Sequence, residues 1–124
     1  MKKLFSCRNK EIKLSSVWLS FMLLSSVYAK EIELPKSNGD KGNYYLVNVE
    51  KTGTTFIVLH KRVGIYDTVY SKTEINCSKK QIKGLGESYS GFEKMTSYKN
   101  SNWADIVDGS SKSYLVNYVC KNFK

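Results

Sequence analysis

Three cysteines, Cys7, Cys77 and Cys120, constrain this chain more than any other residues do. Their possible pairing depends on which of them the mature protein keeps. The first 29 residues have the parts of a secretory signal peptide, namely a basic start, an apolar run and small residues before a cleavage site. Cleavage after Ala29 would remove Cys7, so we expect an exported protein that begins at Lys30.

The apolar run VWLSFMLLSSV, at residues 17–27, could also be read as a membrane anchor. It is about half as long as the roughly 20 apolar residues that a bilayer-spanning helix needs. The sequence therefore favours a cleaved signal peptide over residues 1–29 and no transmembrane segment after cleavage. A lipoprotein is not indicated, because the one early cysteine lies in the basic start and not just after the apolar run.

Residues 30–124 are enough for one small domain, which buries less of its surface than a large one. An exported domain folds in an oxidising compartment, where small domains commonly depend on disulfides. We therefore predict a Cys77–Cys120 disulfide, with two buried free thiols as the alternative. No metal or other cofactor is expected, since two cysteines and one histidine fall short of the ligand clusters that zinc requires.

Alternating side chains predict a sheet in the middle of the chain. The stretch YYLVNVEKTGTTFIVLHKRV is rich in Tyr, Val, Ile and Thr and predicts a hairpin of residues 44–49 with 54–61. Residues 69–76 alternate as a third strand, and residues 80–85 as a weaker one whose two glycines indicate a bulge. We expect residues 30–42, which are polar and hold the only proline, to form a flexible lead-in, and residues 91–109 to wrap the sheet as loop and short strand.

The C-terminal stretch DGSSKSYLVNYVCKNF changes to a helical period. Ser110 or Ser111 can cap a helix of about 10 to 12 residues. One face of this helix is predicted to hold four residues: Tyr114, Leu115, Tyr118 and Val119. Cys120 projects near that face, so the disulfide would hold the helix on the sheet. The predicted fold class is α+β, an antiparallel β-sheet with a C-terminal α-helix packed on it and held by one disulfide, in a single domain over residues 43–124.

The same segments resemble the surface-adhesin protein E family of Gram-negative bacteria. The resemblance covers roughly residues 56–121 and rests on SKTEINCSKKQIKGLGESYS, on the tryptophan of SNWADIVDGSS and on LVNYVC. The matching positions are Cys77, Trp103, Gly109, Ser110 and Cys120. The resemblance implies an exported α+β domain and, as in the family's best-known member, binding to host extracellular-matrix and serum proteins. That member is a lipoprotein, whereas this chain lacks the lipid-attachment cysteine.

The five matching positions also have structural interpretations. We expect Trp103, which precedes the helix, to fill the gap between helix and sheet. Gly109 and Ser110 would form the turn before the helix, and the two cysteines would form the disulfide.

The predicted domain is moderately basic. Residues 30–124 hold fifteen basic and ten acidic side chains, a net charge of +5. This charge is compatible with a lipid headgroup, an acidic glycan or an acidic protein surface, and equally with solubility alone. No nucleic-acid recognition motif accompanies it, so we expect no specific nucleic-acid partner.

The stretch HKRVGIYDTVY contains the strongest binding candidates. Tyrosine beside lysine or arginine is typical of contact surfaces, although cross-strand packing is the alternative for each tyrosine. The end of the hairpin and the third strand would bring five residues to one edge of the sheet: His60, Lys61, Arg62, Tyr66 and Tyr70. We expect a partner to meet an exposed basic and aromatic face there, and not a deep pocket.

An enzyme is not expected. His60 is the only histidine, and its acidic partner would have to be Asp67 or Glu50. Neither a nucleophile motif nor a Gly-rich phosphate loop is found. The sequence therefore favours an interaction module that binds a protein or glycan partner, such as a host matrix protein or an envelope component. The alternatives are an exported inhibitor or immunity protein, and an accessory component of an envelope secretion assembly.

Overall fold

The computed structural model describes residues 30–124. The predicted signal peptide over residues 1–29 lies outside the described residues. The described elements are, in chain order, β1 (Ile32–Leu34), β2 (Asn43–Thr52), β3 (Thr55–Val63), β4 (Thr68–Asn76), β5 (Gln81–Ser88), a 3-10 turn (Phe92–Lys94), β6 (Thr96–Ser97), β7 (Ala104–Asp105) and α1 (Ser111–Asn122). None of the helices in this part of the chain has the length and apolar character needed to cross a membrane.

The strands form one antiparallel sheet in chain order. Each strand from β1 to β6 pairs with the next, and β7 joins β6 along the outer edge of β5. Gly53, with φ of 64°, forms the turn between β2 and β3 in a conformation that favours glycine. The predicted α+β fold is confirmed: an antiparallel sheet carries one C-terminal helix.

The core lies between α1 and one face of the sheet. On β3 and β4, alternate side chains point toward the helix, and Val58 and Ile75 among them are fully buried. Burial of a side chain of this size contributes about 1.5 to 3 kcal/mol. The buried apolar residues are Leu34, Leu46, Phe56, Val58, Ile75, Leu115, Val116 and Val119.

The face of α1 that is buried against the sheet differs from the predicted face in part of its residues. Leu115 and Val119 are buried as expected, and Val116 is fully buried with them. The two predicted tyrosines, Tyr114 and Tyr118, are only half-buried. The larger rings therefore flank the contact with the sheet, while the smaller aliphatic side chains occupy its centre.

A turn and a cap fix the start of α1. Gly109 has a φ of 85°, which glycine adopts without the strain that a side chain would cause. Ser110 is the N-cap residue: its hydroxyl accepts a hydrogen bond from the backbone N–H of Ser113 at 3.2 Å. This bond satisfies one of the N–H groups that the first turn leaves without an intrahelical partner.

The predicted disulfide is confirmed. Cys77 follows β4 directly, Cys120 lies in the last turns of α1, and their sulfur atoms are 2.03 Å apart. The bond joins residues 43 positions apart in the chain. It therefore holds the C-terminal end of the helix against the end of the sheet where β4 finishes.

The predicted flexible lead-in over residues 30–42 is wrong for Ile32–Leu34. These residues form β1, which pairs with β2, and Leu34 belongs to the core with 5% of its surface exposed. The loop that follows is also anchored, because the Ser111 hydroxyl accepts a hydrogen bond from the backbone N–H of Ser37 at 3.1 Å. A strand of three residues gives too short an alternation to be distinguished from a loop in the sequence.

The bulge predicted from two glycines is present on β5. The register of β5 against β4 shifts between Gly84 and Gly86, which leaves Leu85 as the extra residue. A Cβ atom on Gly86 would lie 2.7 Å from the carbonyl oxygen of Thr96. Glycine at this position thus allows β6 to approach the edge of the sheet.

Candidate functional site

The five predicted binding residues all lie on the hairpin of β3 and β4, but on different sides of it. His60 and Arg62 point to the face that α1 covers, where they line a cavity with the first turn of the helix. Lys61 and Tyr70 oppose each other across the two strands and point to the other face. Tyr66 lies in the turn and is 96% exposed. The expected arrangement of all five along one edge is therefore wrong.

The sheet face away from α1, which we call the open face, carries Lys61 and Tyr70. Lys61 Nζ lies 5.6 Å from the centroid of the Tyr45 ring, within the range of a cation–π contact. The same ammonium forms an ion pair of 2.8 Å with Glu31 Oε2. The Tyr70 ring meets the Phe92 ring edge to face, with centroids 5.0 Å apart. These contacts hold two aromatic rings on the open face in fixed orientations.

Trp103 also lies on the open face, where Lys83 Nζ is 5.0 Å from its ring centroid. The expectation that it fills the gap between helix and sheet is wrong. The reason is the register of β7: Ala104 pairs with Ile82, and Ile82 pairs with the buried Ile75. These residues point toward α1, so the residue before Ala104 points the other way.

Apolar and charged side chains alternate on the open face. Ile57 and Leu59 are half-buried there. Lys83 Nζ forms an ion pair of 3.8 Å with Glu74 Oε1 on the neighbouring strand. Lys72, which is exposed, opposes Leu59 on the neighbouring strand. We use the term open-face patch for the residues Tyr45, Lys61, Tyr70, Lys83 and Trp103. Because its lysines are largely paired with carboxylates, the patch is amphipathic and not strongly basic.

On the sheet face that α1 covers, Arg62 forms an ion pair with Asp40. Arg62 donates to Asp40 Oδ1 at 2.9 Å, and Tyr44 and Ser111 donate to Asp40 Oδ2 at 2.6 and 2.9 Å. With the backbone N–H of Gly42 as a further donor, these bonds hold the pKa of Asp40 well below its usual range; the bond from Tyr44 has the largest effect. Arg62 thus ties the β1–β2 loop to the sheet.

His60 is half-buried beneath the start of α1. Its Nε2 atom is 2.8 Å from the hydroxyl oxygen of the buried Thr73. Burial of the imidazole, and secondarily the charge of Lys112, lowers the pKa of His60 from 6.5 to about 4. A neutral imidazole at neutral pH therefore faces the cavity between helix and sheet.

The chain matches no protein-family model, and it has no significant match among curated proteins or solved structures. Within residues 30–124, no group of three or more His, Cys, Asp or Glu side chains is arranged to hold a metal ion.

Sequence reasoning missed Asp40, Tyr45 and Lys83. For Asp40 the sequence offers no signal, because residues 30–42 are polar and show no sustained period. Tyr45 could have been assigned to one face of β2 by alternation, but not to Lys61, because a register shift lies between Leu46 and Asn48. The position of Lys83 opposite Glu74 depends on the register in which β4 pairs with β5, which the sequence alone does not give.

Proposed function

We propose that this chain is an exported, disulfide-stabilised interaction module that binds a protein or glycan partner through the open-face patch. The observation that carries the proposal is the set of aromatic rings on the sheet face that α1 leaves uncovered. Tyrosine and tryptophan are the residues most enriched at the energetic centres of protein contacts. Their rings also provide flat apolar surfaces on which a sugar ring can stack.

The geometry of the open face suits recognition because its rings are already oriented. Lys61 lies against Tyr45, and Lys83 lies against Trp103, so each ring already has a cation–π contact before a partner arrives. Contacts that are ordered before binding lose less conformational entropy on association. The two lysines of the patch are paired with carboxylates. Such paired charges help to orient a polar partner but do not attract every polyanion.

The partner class follows from the resemblance to the surface-adhesin protein E family. We propose a host matrix or serum protein, or a component of the cell envelope, as the ligand. The proposal includes no catalytic step, and the environment of His60 supports this. Its lowered pKa makes the imidazole a weak base at neutral pH, and Thr73 occupies its Nε2 atom.

Photo-crosslinking from single positions tests this proposal. A benzophenone amino acid replaces Tyr70 in the open-face patch or, as a control, the exposed Lys121 on α1. The oxidised protein is then irradiated with envelope and host-matrix extracts. The proposal expects one specific adduct from position 70 that is absent from position 121, and equal labelling from both positions would contradict it.

A second candidate, the exported inhibitor, is favoured by the turn between β3 and β4. Ile65 and Tyr66 are 66% and 96% exposed there, next to each other. The turn itself is ordered, because the backbone N–H of Gly64 donates to the carbonyl oxygen of Asp67 at 2.8 Å. A protruding turn with an aromatic tip can fill a cleft on an enzyme. Crosslinking from position 66, with no adduct from position 70, would favour this candidate.

A further inference from the structure

A cavity of about 200 Å³ lies between the first turns of α1 and the sheet face that the helix covers. Cross-strand rows of side chains form its floor, since Arg62 opposes Val69 and His60 opposes Ser71. Lys112 and Leu115 of α1 form its wall. An apolar cavity of about 150 Å³ is large enough to bind benzene, so this volume is the space of a small organic molecule.

The lining of this cavity is apolar except for a few groups. Leu34, Val69 and Leu115 supply the apolar walls. Within residues 30–124, the Ser71 hydroxyl and the Lys112 ammonium have no hydrogen-bond or salt-bridge partner. Ser71 is half-buried and Lys112 is exposed, so both groups are open to solvent or to a ligand that enters the cavity.

The charges around the cavity favour an anion. Asp40 neutralises Arg62 at 2.9 Å, and burial keeps His60 uncharged at neutral pH. The Lys112 ammonium is left as a positive charge without a carboxylate partner in the described part of the chain. Lys112 is one of the residues that line the cavity. It also belongs to the first turn of α1, whose dipole favours negative charge at this end.

We propose that this cavity binds a small organic acid, with its apolar tail between Leu34, Val69 and Leu115 and its carboxylate at Lys112 and Ser71. A tail of a few carbon atoms matches the volume and the apolar walls. The carboxylate supplies acceptors for the ammonium and the hydroxyl, which are both donors. Tyr45 is the one residue that both lines this cavity and belongs to the open-face patch. The residues proposed to hold the acid lie outside the patch, so the proposal does not depend on the function proposed above.

The test uses 4-methylpentanoate as the probe and 4-methylpentan-1-ol, with the same tail and no charge, as its control. The protein is produced from its full chain, purified with the disulfide intact, labelled with ¹⁵N and titrated with each compound. We expect saturable shifts of the backbone signals of Ser71, Lys112 and Leu115 with the acid, and weaker binding of the alcohol. Equal affinity for acid and alcohol, shifts confined to other residues, or no saturable shift would each overturn the proposal.

A matched pair of variants tests whether Lys112 is the cation that binds the carboxylate. Lys112→Gln should weaken binding of 4-methylpentanoate about tenfold, the usual effect of removing one charge-assisted hydrogen bond. Lys121→Gln, an equivalent change in the last turn of the same helix, should leave the affinity unchanged. Both lysines are exposed, so neither change is expected to unfold the domain. Equal effects of the two substitutions would show general charge attraction and would contradict a site at Lys112.

Discussion

The burial of His60 predicts that acid destabilises this domain in a defined pH window. In the folded protein the pKa of His60 is about 4, against an ordinary value of 6.5. The unfolded chain therefore binds a proton at a higher pH than the folded chain does. Stability is fully present above pH 6.5 and is lost progressively as the pH falls toward 4, because protonation then favours the unfolded chain.

The loss of stability in acid can be calculated from the lowered pKa of His60. One pKa unit corresponds to 1.36 kcal/mol, so the free energy of unfolding should fall by about 3 kcal/mol between pH 7 and pH 4, with about 2 kcal/mol of this lost by pH 5. Asp40 does not interfere in most of this window. Because its pKa is lowered from 3.8, its contribution is present above that value and is lost at more acidic pH.

Urea denaturation at a series of pH values measures the effect, with His60→Gln as the matched variant that cannot titrate there. The difference in unfolding free energy between the two proteins should change with pH as calculated, since the carboxylates are common to both. His60 is the only histidine, so its NMR titration is unambiguous. A His60 pKa near 6.5, or parallel pH profiles of parent and variant, would show that burial of His60 does not destabilise the domain in acid.

Three further predictions concern the framework. Cys120→Ala should lower the free energy of unfolding by about 2 to 5 kcal/mol, and the entropy of a loop of this length gives about 4 kcal/mol. Urea denaturation measures the change, and a curve that matches the oxidised parent would contradict the prediction. Ser110→Ala removes the N-cap of α1 and should cost about 1 kcal/mol, while Ser90→Ala serves as an exposed control. The exported product should begin at Lys30, and an intact mass that retains Met1 would overturn the predicted signal cleavage.

The parts of the fold that the sequence revealed are those that rest on local patterns. The hairpin of β2 and β3 followed from β-branched and aromatic residues around the Gly53 turn. The helix followed from its change of period and a capping serine at position 110 or 111, and the disulfide from the two cysteines that the predicted cleavage leaves. Each of these features is determined by residues that are close in sequence or few in number.

The parts that the sequence did not reveal depend on register. Near the turn Val49 opposes Val58, and continued pairing without a shift would place Tyr45 opposite Arg62. The irregularity between Leu46 and Asn48 places Tyr45 opposite Lys61 instead. One extra residue thus decides which cation meets the ring. Trp103 was assigned to the wrong side of the sheet for a related reason, since the pairing of β7 decides its face.

We propose that the open-face patch forms the contact with the partner. Binding isotherms for the partner identified by crosslinking test it most directly, with Trp103→Ala compared with Tyr66→Ala. Trp103→Ala is expected to weaken binding by at least about 2 kcal/mol, the usual effect of a central aromatic anchor, while its thermal unfolding still shows a folded domain. Tyr66→Ala should bind within a few tenths of a kcal/mol of the parent protein. Unchanged binding by folded Trp103→Ala, together with a large loss in Tyr66→Ala, would contradict the claim and place the contact at the turn.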